Sequence, residues 1–201
     1  MTTYVDRNYF QQLAQAAPES ICRDGRCRFD SVGKRYMLDI WGEEYFVDCP
    51  GQRIGRVAAV HSEPHEFFSL FIMYYLLSAP DCRAAREWIS EKDLPGGATF
   101  FRGPHRIPTD LISSRFGNDL GAFRKCCESL GGKALDLGDA GFRFEIAPEL
   151  PVAVVYWQGD EDFPADAGLL YDRSITEILP LDIVFALAVS VCSRIGFMGK
   201  S

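Results

Sequence analysis

Two short segments carry residue types that could build one site: "FFRGPH", residues 100–105, which runs on into Arg106, and "GDEDFP", residues 159–164. Arg102 can grip a carboxylate through two parallel N–H donors, and His105 carries a proton that moves near neutral pH. Asp160, Glu161 and Asp162 are consecutive carboxylates leaving an apolar run, and they repel one another unless something positive offsets them. If the segments converge, Arg102, His105 and Arg106 neutralise the acids in a shared hollow. That hollow would be either a ligand-binding site or a salt bridge pinning two loops together. Two other readings of the acidic turn stand beside it. Carboxylate oxygens suit Mg²⁺ or Ca²⁺, with Asp166 or Asp172 completing the set, although no metal-loop spacing is met. Alternatively, Gly159 and Asp160 make a hairpin turn whose extra acids face water and need no partner.

Other candidates are weaker. His61 and His65 have the i, i+4 separation of a zinc pair, but Pro64 lies between them and His61 precedes the helix, so they share no face. The seven cysteines, Cys22, Cys27, Cys49, Cys82, Cys126, Cys127 and Cys192, are odd in number and irregularly spaced, which suits a reducing cytosol better than a disulfide framework. Cys126 and Cys127 point about 100° apart on a helix and are expected in the core and on its flank rather than on one ion. Cys49, beside Pro50, could be a reactive thiol, but it needs a base or cation that the sequence does not place. The chain has no nucleophile elbow, phosphate loop or dinucleotide fingerprint, so the motifs name no metal and no cofactor.

Charge narrows the partners. From Ala134 to Asp172 nine acids face the single Arg143, a net −8 within a chain total of −7. This argues against a nucleic-acid surface and favours a cation, a basic partner or a solvated face. The N-terminus lacks a signal-peptide pattern, and both long apolar stretches, 67–77 and 183–192, fall short of the about 20 residues a membrane span needs. A cytoplasmic protein that binds neither nucleic acid nor membrane is the expectation.

The elements that must position these residues read as follows. Apolar residues at helical spacing predict a helix from Tyr4 to Ala17, closed by Pro18. "RYMLDIWG" and "EYFVDC" predict a β-hairpin turning at Gly42 and Glu43, with a third strand over residues 56–60. Ser62 caps a helix that runs to Ala79 and is apolar on every side, hence internal. "REWISEKDL" reads as a strand and turn. "LPGGATFFRGPHRIP" reads as a structured loop around a strand-like "TFF". Thr109 caps a helix through Phe116, and Asn118 or Asp119 caps another from Leu120 to Leu130, ended by Gly131 and Gly132. "GFRFEIA" alternates as a half-buried strand, "VAVVYW" is apolar on both faces and therefore central, and "AGLLYD" is its antiparallel neighbour. A helix from Pro180 closes the chain, with Arg194 in its last turns, where the helix dipole favours it. This order predicts an α+β fold in one compact domain over residues 1–201, with a mostly antiparallel sheet and helices packed on one face.

The "LPGGATFFRGPHRIP" loop, "FGNDLGAFRKCCESLGGKALDLGDAGFRF", "VAVVYWQGDEDFPADAGLLYD" and "LPLDIVFAL" together resemble the bacterial and archaeal domain-of-unknown-function family numbered 3786. The resemblance covers about residues 60–195, and the FFRGPH loop and GDEDFPA turn are its most specific pieces. It implies no assigned activity. Some relatives resemble fusions, usually in anaerobes, in which an iron-sulfur-binding segment precedes this domain. The resemblance therefore implies an accessory role near iron-sulfur or corrinoid redox chemistry. Cys22 and Cys27 alone cannot supply the four thiolates such a cluster takes. The expected function is an accessory protein that binds a small ligand or protein partner through Arg102, His105, Arg106, Asp160, Glu161 and Asp162. The competing expectation is a hydrolase or lyase in which His105 is the acid or base and a carboxylate orients it or holds a cation. Such an enzyme needs His105 within hydrogen-bond reach of a carboxylate inside a cleft.

Overall fold

The computed structural model describes residues 5–23, 26–59, 64–78 and 83–197. Its N-terminal helix α1 (Arg7–Gln15) is capped by Asp6, whose carboxylate accepts from the Asn8 N–H at 2.8 Å. Pro18 does not close this helix but opens a second, α2 (Pro18–Ile21). Proline needs no N–H in a first turn, and it holds the preceding Ala17 extended at φ −67°, ψ 122°, which separates the two helices.

Strand β1 (Arg28–Asp30), three residues and too short to leave a pattern, then pairs with β2 (Arg35–Ile40). The hairpin to β3 (Glu43–Asp48) has Ile40 opposite Glu43, so its two turn residues are Trp41 and Gly42, one position earlier than the sequence suggests. Both have positive φ, 50° and 71°, the mirror-image turn whose twist matches that of paired strands. Gly42 adopts this freely; Trp41 does so at a cost. Strand β4 (Arg53–Arg56) ends where a third strand was expected to begin, because Asp48 accepts from Gly51 N–H at 2.9 Å and tightens the turn, so pairing resumes at Arg53.

Helix α3 (Glu66–Ser78) is internal as its composition demands, with Phe71, Ile72, Met73 and Tyr75 fully buried. The expected cap Ser62 and His61 lie outside the described residues. Strand β5 (Trp88–Ser90) follows. The "TFF" segment is not a strand: Thr99 and Phe100 end helix α4 (Gly97–Phe100), and Phe101 caps it, its N–H bonded to Gly97 O at 2.9 Å. Gly97 permits it, since a Cβ there would sit 1.9 Å from the Glu91 carbonyl oxygen. Helices α5 (Asp110–Phe116) and α6 (Leu120–Ser129) come next, the second capped by Asp119 rather than Asn118. Thr109 precedes α5 without a side-chain capping bond.

Strands β6 (Lys133–Leu135), β7 (Ala140–Ala147), β8 (Leu150–Trp157) and β9 (Asp166–Asp172) complete a second antiparallel sheet, ordered β5-β9-β8-β7-β6. β8 is central, as its two apolar faces predict. Helices α7 (Ile175–Ile178) and α8 (Leu181–Phe197) end the described chain, with α8 packed on α3 and α5. The fold is α+β and antiparallel, but its strands form two sheets, β1-β2-β3-β4 and the five-stranded one. Among the described residues they share no ladder. The Trp41 N–H, bonded to the Ile146 carbonyl at 2.7 Å, joins the hairpin tip of one to a strand of the other, and one apolar core runs beneath both. Among the described residues no helix is long and apolar enough to cross a membrane.

Candidate functional site

Period two along β3 puts Glu43 and Tyr45 on one face, and antiparallel pairing sets Arg56 of β4 directly opposite Tyr45. Helix α8 approaches this face with Ser190, Arg194 and Phe197, which share one side of the helix at i, i+4 and i+7. Together with Trp41, His65 and Phe68 they line a cavity of about 480 Å³, a size that suits a small molecule.

Glu43 organises the polar wall. One carboxylate oxygen accepts from Arg194 Nη2 at 3.0 Å; the other accepts from Arg56 Nη1 at 3.1 Å and from the Tyr45 hydroxyl at 3.0 Å. Burial pushes the Glu43 carboxyl up, but Arg194, Arg56 and Tyr45 together outweigh it and hold the group below its ordinary value of 4.5. Burial, with Glu43 beside it, pushes the Tyr45 phenol up to about 12. The wall therefore carries two guanidinium charges against one carboxylate, and each guanidinium keeps further N–H donors beyond those Glu43 takes. Arg194 also lies over the Trp41 ring, 4.6 Å from its centroid. The Trp41 indole N–H is buried and, among the described residues, has no hydrogen-bond partner, an arrangement that costs free energy.

The residues expected to build the site, Arg102, His105, Arg106, Asp160, Glu161 and Asp162, lie elsewhere, in two groups with different neighbours. His105 stacks on Phe100 at 4.4 Å between centroids and meets Phe185 of α8 edge-on at 5.4 Å; Phe185 in turn contacts Phe67 at 5.8 Å. Arg102 and Arg106 are exposed. The acidic turn is tied instead to the connection between α5 and α6: Asn118 accepts from the Gly159 N–H at 2.9 Å and donates to the Gly159 carbonyl at 3.2 Å. Asp160 closes the turn on itself, accepting from the N–H groups of Asp162 at 2.9 Å and Phe163 at 2.8 Å, and these bonds hold its carboxyl below the usual value. Glu161 and Asp162 face water. Among the described residues no hydrogen bond or ion pair joins Arg102, His105 or Arg106 to Asp160, Glu161 or Asp162, and none brings a carboxylate to His105. The acids tolerate one another because solvent screens two of them and backbone amides satisfy the third. Replacing both Glu161 and Asp162 by their amides is accordingly expected to move the melting midpoint by less than about 2 °C in a thermal scan. A larger fall would mean that the acids hold a partner within the fold.

The remaining candidates are quiet. His65 is exposed, and its Nδ1 accepts from Phe67 N–H at 3.4 Å beside the start of α3. Cys126 and Cys127 are both buried, so neither is on a flank. Burial and the neighbouring Asp48 carboxylate push the Cys49 thiol up to about 11, which leaves it a poor nucleophile. The cavity residues left only faint traces in the sequence: a Trp-Gly turn, a carboxylate two places before a tyrosine in a strand, and an arginine in an apolar helix, each with an ordinary explanation of its own.

Compared with known proteins, the chain matches no curated protein and no solved structure. Residues 17–194 match the model of one family, described as a domain of unknown function, and that span takes in both sheets, α3, α8 as far as Arg194 and every described cavity residue up to Arg194. The chain belongs to the family Domain of unknown function (DUF3786).

Proposed function

We propose that this chain is an accessory protein that binds a small organic anion with a flat apolar body in the cavity between the first sheet and α8. The observation that carries the reading is the pairing of Glu43 with both Arg56 and Arg194 inside a cavity walled by Trp41, Tyr45, Phe68 and Phe197. A carboxylate that braces two guanidiniums fixes their forks in advance, so a ligand's own carboxylate or phosphate meets donors already in place. The aromatic walls take the apolar body. The strained backbone of Trp41, at φ 50°, supports the same reading, because such strain persists where the surroundings hold it and clusters at binding sites.

The probe is 8-anilinonaphthalene-1-sulfonate, an aromatic anion whose fluorescence rises on transfer from water. The native chain is expected to bind it at one saturable site, and Arg194→Ala to weaken that binding about tenfold, the equivalent of one lost charge-assisted bond. Arg56→Ala is expected to act in the same direction. If both variants bind the dye as the native chain does while melting normally, the cavity is not an anion site.

A further inference from the structure

We propose that Cys22 and Cys27 are an exchange-active dithiol, a modification site for a small-molecule disulfide of the glutathione type. This goes beyond the cavity reading and does not depend on it. Cys22 ends α2 and Cys27 immediately precedes β1, so two separate elements hold the thiols face to face, with their Sγ atoms 2.7 Å apart. Their exposure is unequal. Cys22 is half-buried and Cys27 buried, while the other described cysteines, Cys49, Cys126, Cys127 and Cys192, are all buried. Among the described cysteines, Cys22 is thus the one an external reagent reaches, and it has a second thiol directly behind it. That is the arrangement of an attacking and a resolving thiol. Burial, reinforced by the hydrogen bond with Cys22, pushes the Cys27 thiol up, so Cys27 is the slower nucleophile of the two and its attack is the slow step, driven by its contact with Cys22 Sγ.

The exchange balances without any further reactant. The Cys22 thiolate attacks one sulfur of the external disulfide; that S–S bond breaks and the first small thiol departs, leaving a mixed disulfide on Cys22. Cys27 then gives up its proton and attacks Cys22 Sγ, and the second small thiol departs as the Cys22–Cys27 bond forms. The external disulfide is reduced to two thiols and the protein pair is oxidised to a disulfide. The hydrogens of the two protein thiols end on the departing thiols. In a reducing compartment such a bond is transient and tracks the surrounding thiol-disulfide ratio.

The test uses the full reduced chain, exposed under native conditions to oxidised glutathione, then alkylated, digested and analysed by mass spectrometry. The expected result is a loss of two alkylatable thiols from the seven, a peptide cross-linking Cys22 to Cys27, and full recovery with dithiothreitol. Cys27→Ala should stop at the first step and accumulate a glutathione adduct on Cys22, whereas Cys22→Ser should block both steps. Seven alkylatable thiols after the treatment, a cross-link between any other pair, or an adduct on native Cys22 that never resolves would each overturn the proposal. The native-chain measurement decides the matter even if the Cys27 variant fails to fold.

Discussion

Trp41→Ala is expected to lower the stability of the fold by about 3–5 kcal/mol, the range for truncating a large aromatic side chain in a core. Trp41 is 4% exposed, meets Phe144 of β7 edge-on at 5.2 Å between centroids, and lies beneath the Arg194 guanidinium. Its backbone N–H holds the bond to Ile146 that joins the two sheets. The side chain packs where the two sheets meet without a shared ladder among the described residues, so its removal is expected to leave a cavity. A second variant isolates the backbone. At an ordinary strand position glycine is about 0.5–1 kcal/mol worse than alanine. Here φ is 50°, where glycine is unstrained and alanine is not, so Trp41→Gly should be no less stable than Trp41→Ala. Urea midpoints for the pair decide it: a glycine variant clearly below the alanine one would mean that the turn stores no strain. Trp41→Phe, which keeps a ring and removes the unpartnered buried N–H, should retain most of the stability.

Asp172→Ala is expected to cost about 3 kcal/mol through a different mechanism. Asp172 ends β9 at 3% exposure, and its carboxylate collects the N–H groups of Ala85 at 2.8 Å, Arg86 at 2.6 Å and Ser174 at 3.0 Å, with the Ser174 hydroxyl at 2.6 Å. One anion thereby fastens the segment leading into β5 to the start of α7. Truncation would leave those donors without an acceptor, and a buried donor left unmade costs more than the bond itself contributes. Asp172→Asn, which keeps one acceptor oxygen, should lose about half as much. The pH dependence has a definite sign. Burial raises the Asp172 carboxyl, but the hydrogen bonds from Ser174, Ala85 and Arg86 outweigh it and leave the folded-state value below the ordinary 3.8. A depressed value means stability that is fully present above the unfolded-state pKa and is lost as pH falls through the folded one. The stability gap between native chain and Asp172→Asn should therefore be constant near neutrality and narrow only as the pH drops below 3.8. A gap that narrows between pH 8 and 6 would point to some other group.

The cavity and the clamp differ in what they ask of a partner. Asp172 is satisfied within the fold, which makes it structural. Glu43 is satisfied too, but the arginines it braces are not used up by it. That surplus of guanidinium donors beside an apolar hollow is what supports the proposed anion site over a salt bridge that merely holds strands together.

Local pattern alone was enough for most of the elements. The alternation of Phe142, Phe144 and Ile146, the apolar run of β8, the internal character of α3, and the turn signals at Gly42 and Gly131 are written within a few residues of each other. Each reflects short-range sterics or the period of a single element, and the family resemblance was carried by contiguous motifs. What tertiary structure alone decided is which elements face one another. The split into two sheets, the helix over Gly97–Phe100 packed by Gly97 against Glu91, the attachment of the acidic turn to Asn118, and the meeting of Glu43 with Arg194, 151 positions further along the chain, all depend on long-range packing. Opposite charges in a sequence can pair with many partners, and their attraction in water is too weak and too screened to choose among them. Burial of the apolar core makes that choice, and the charged side chains then pair with whatever the packed elements bring within reach.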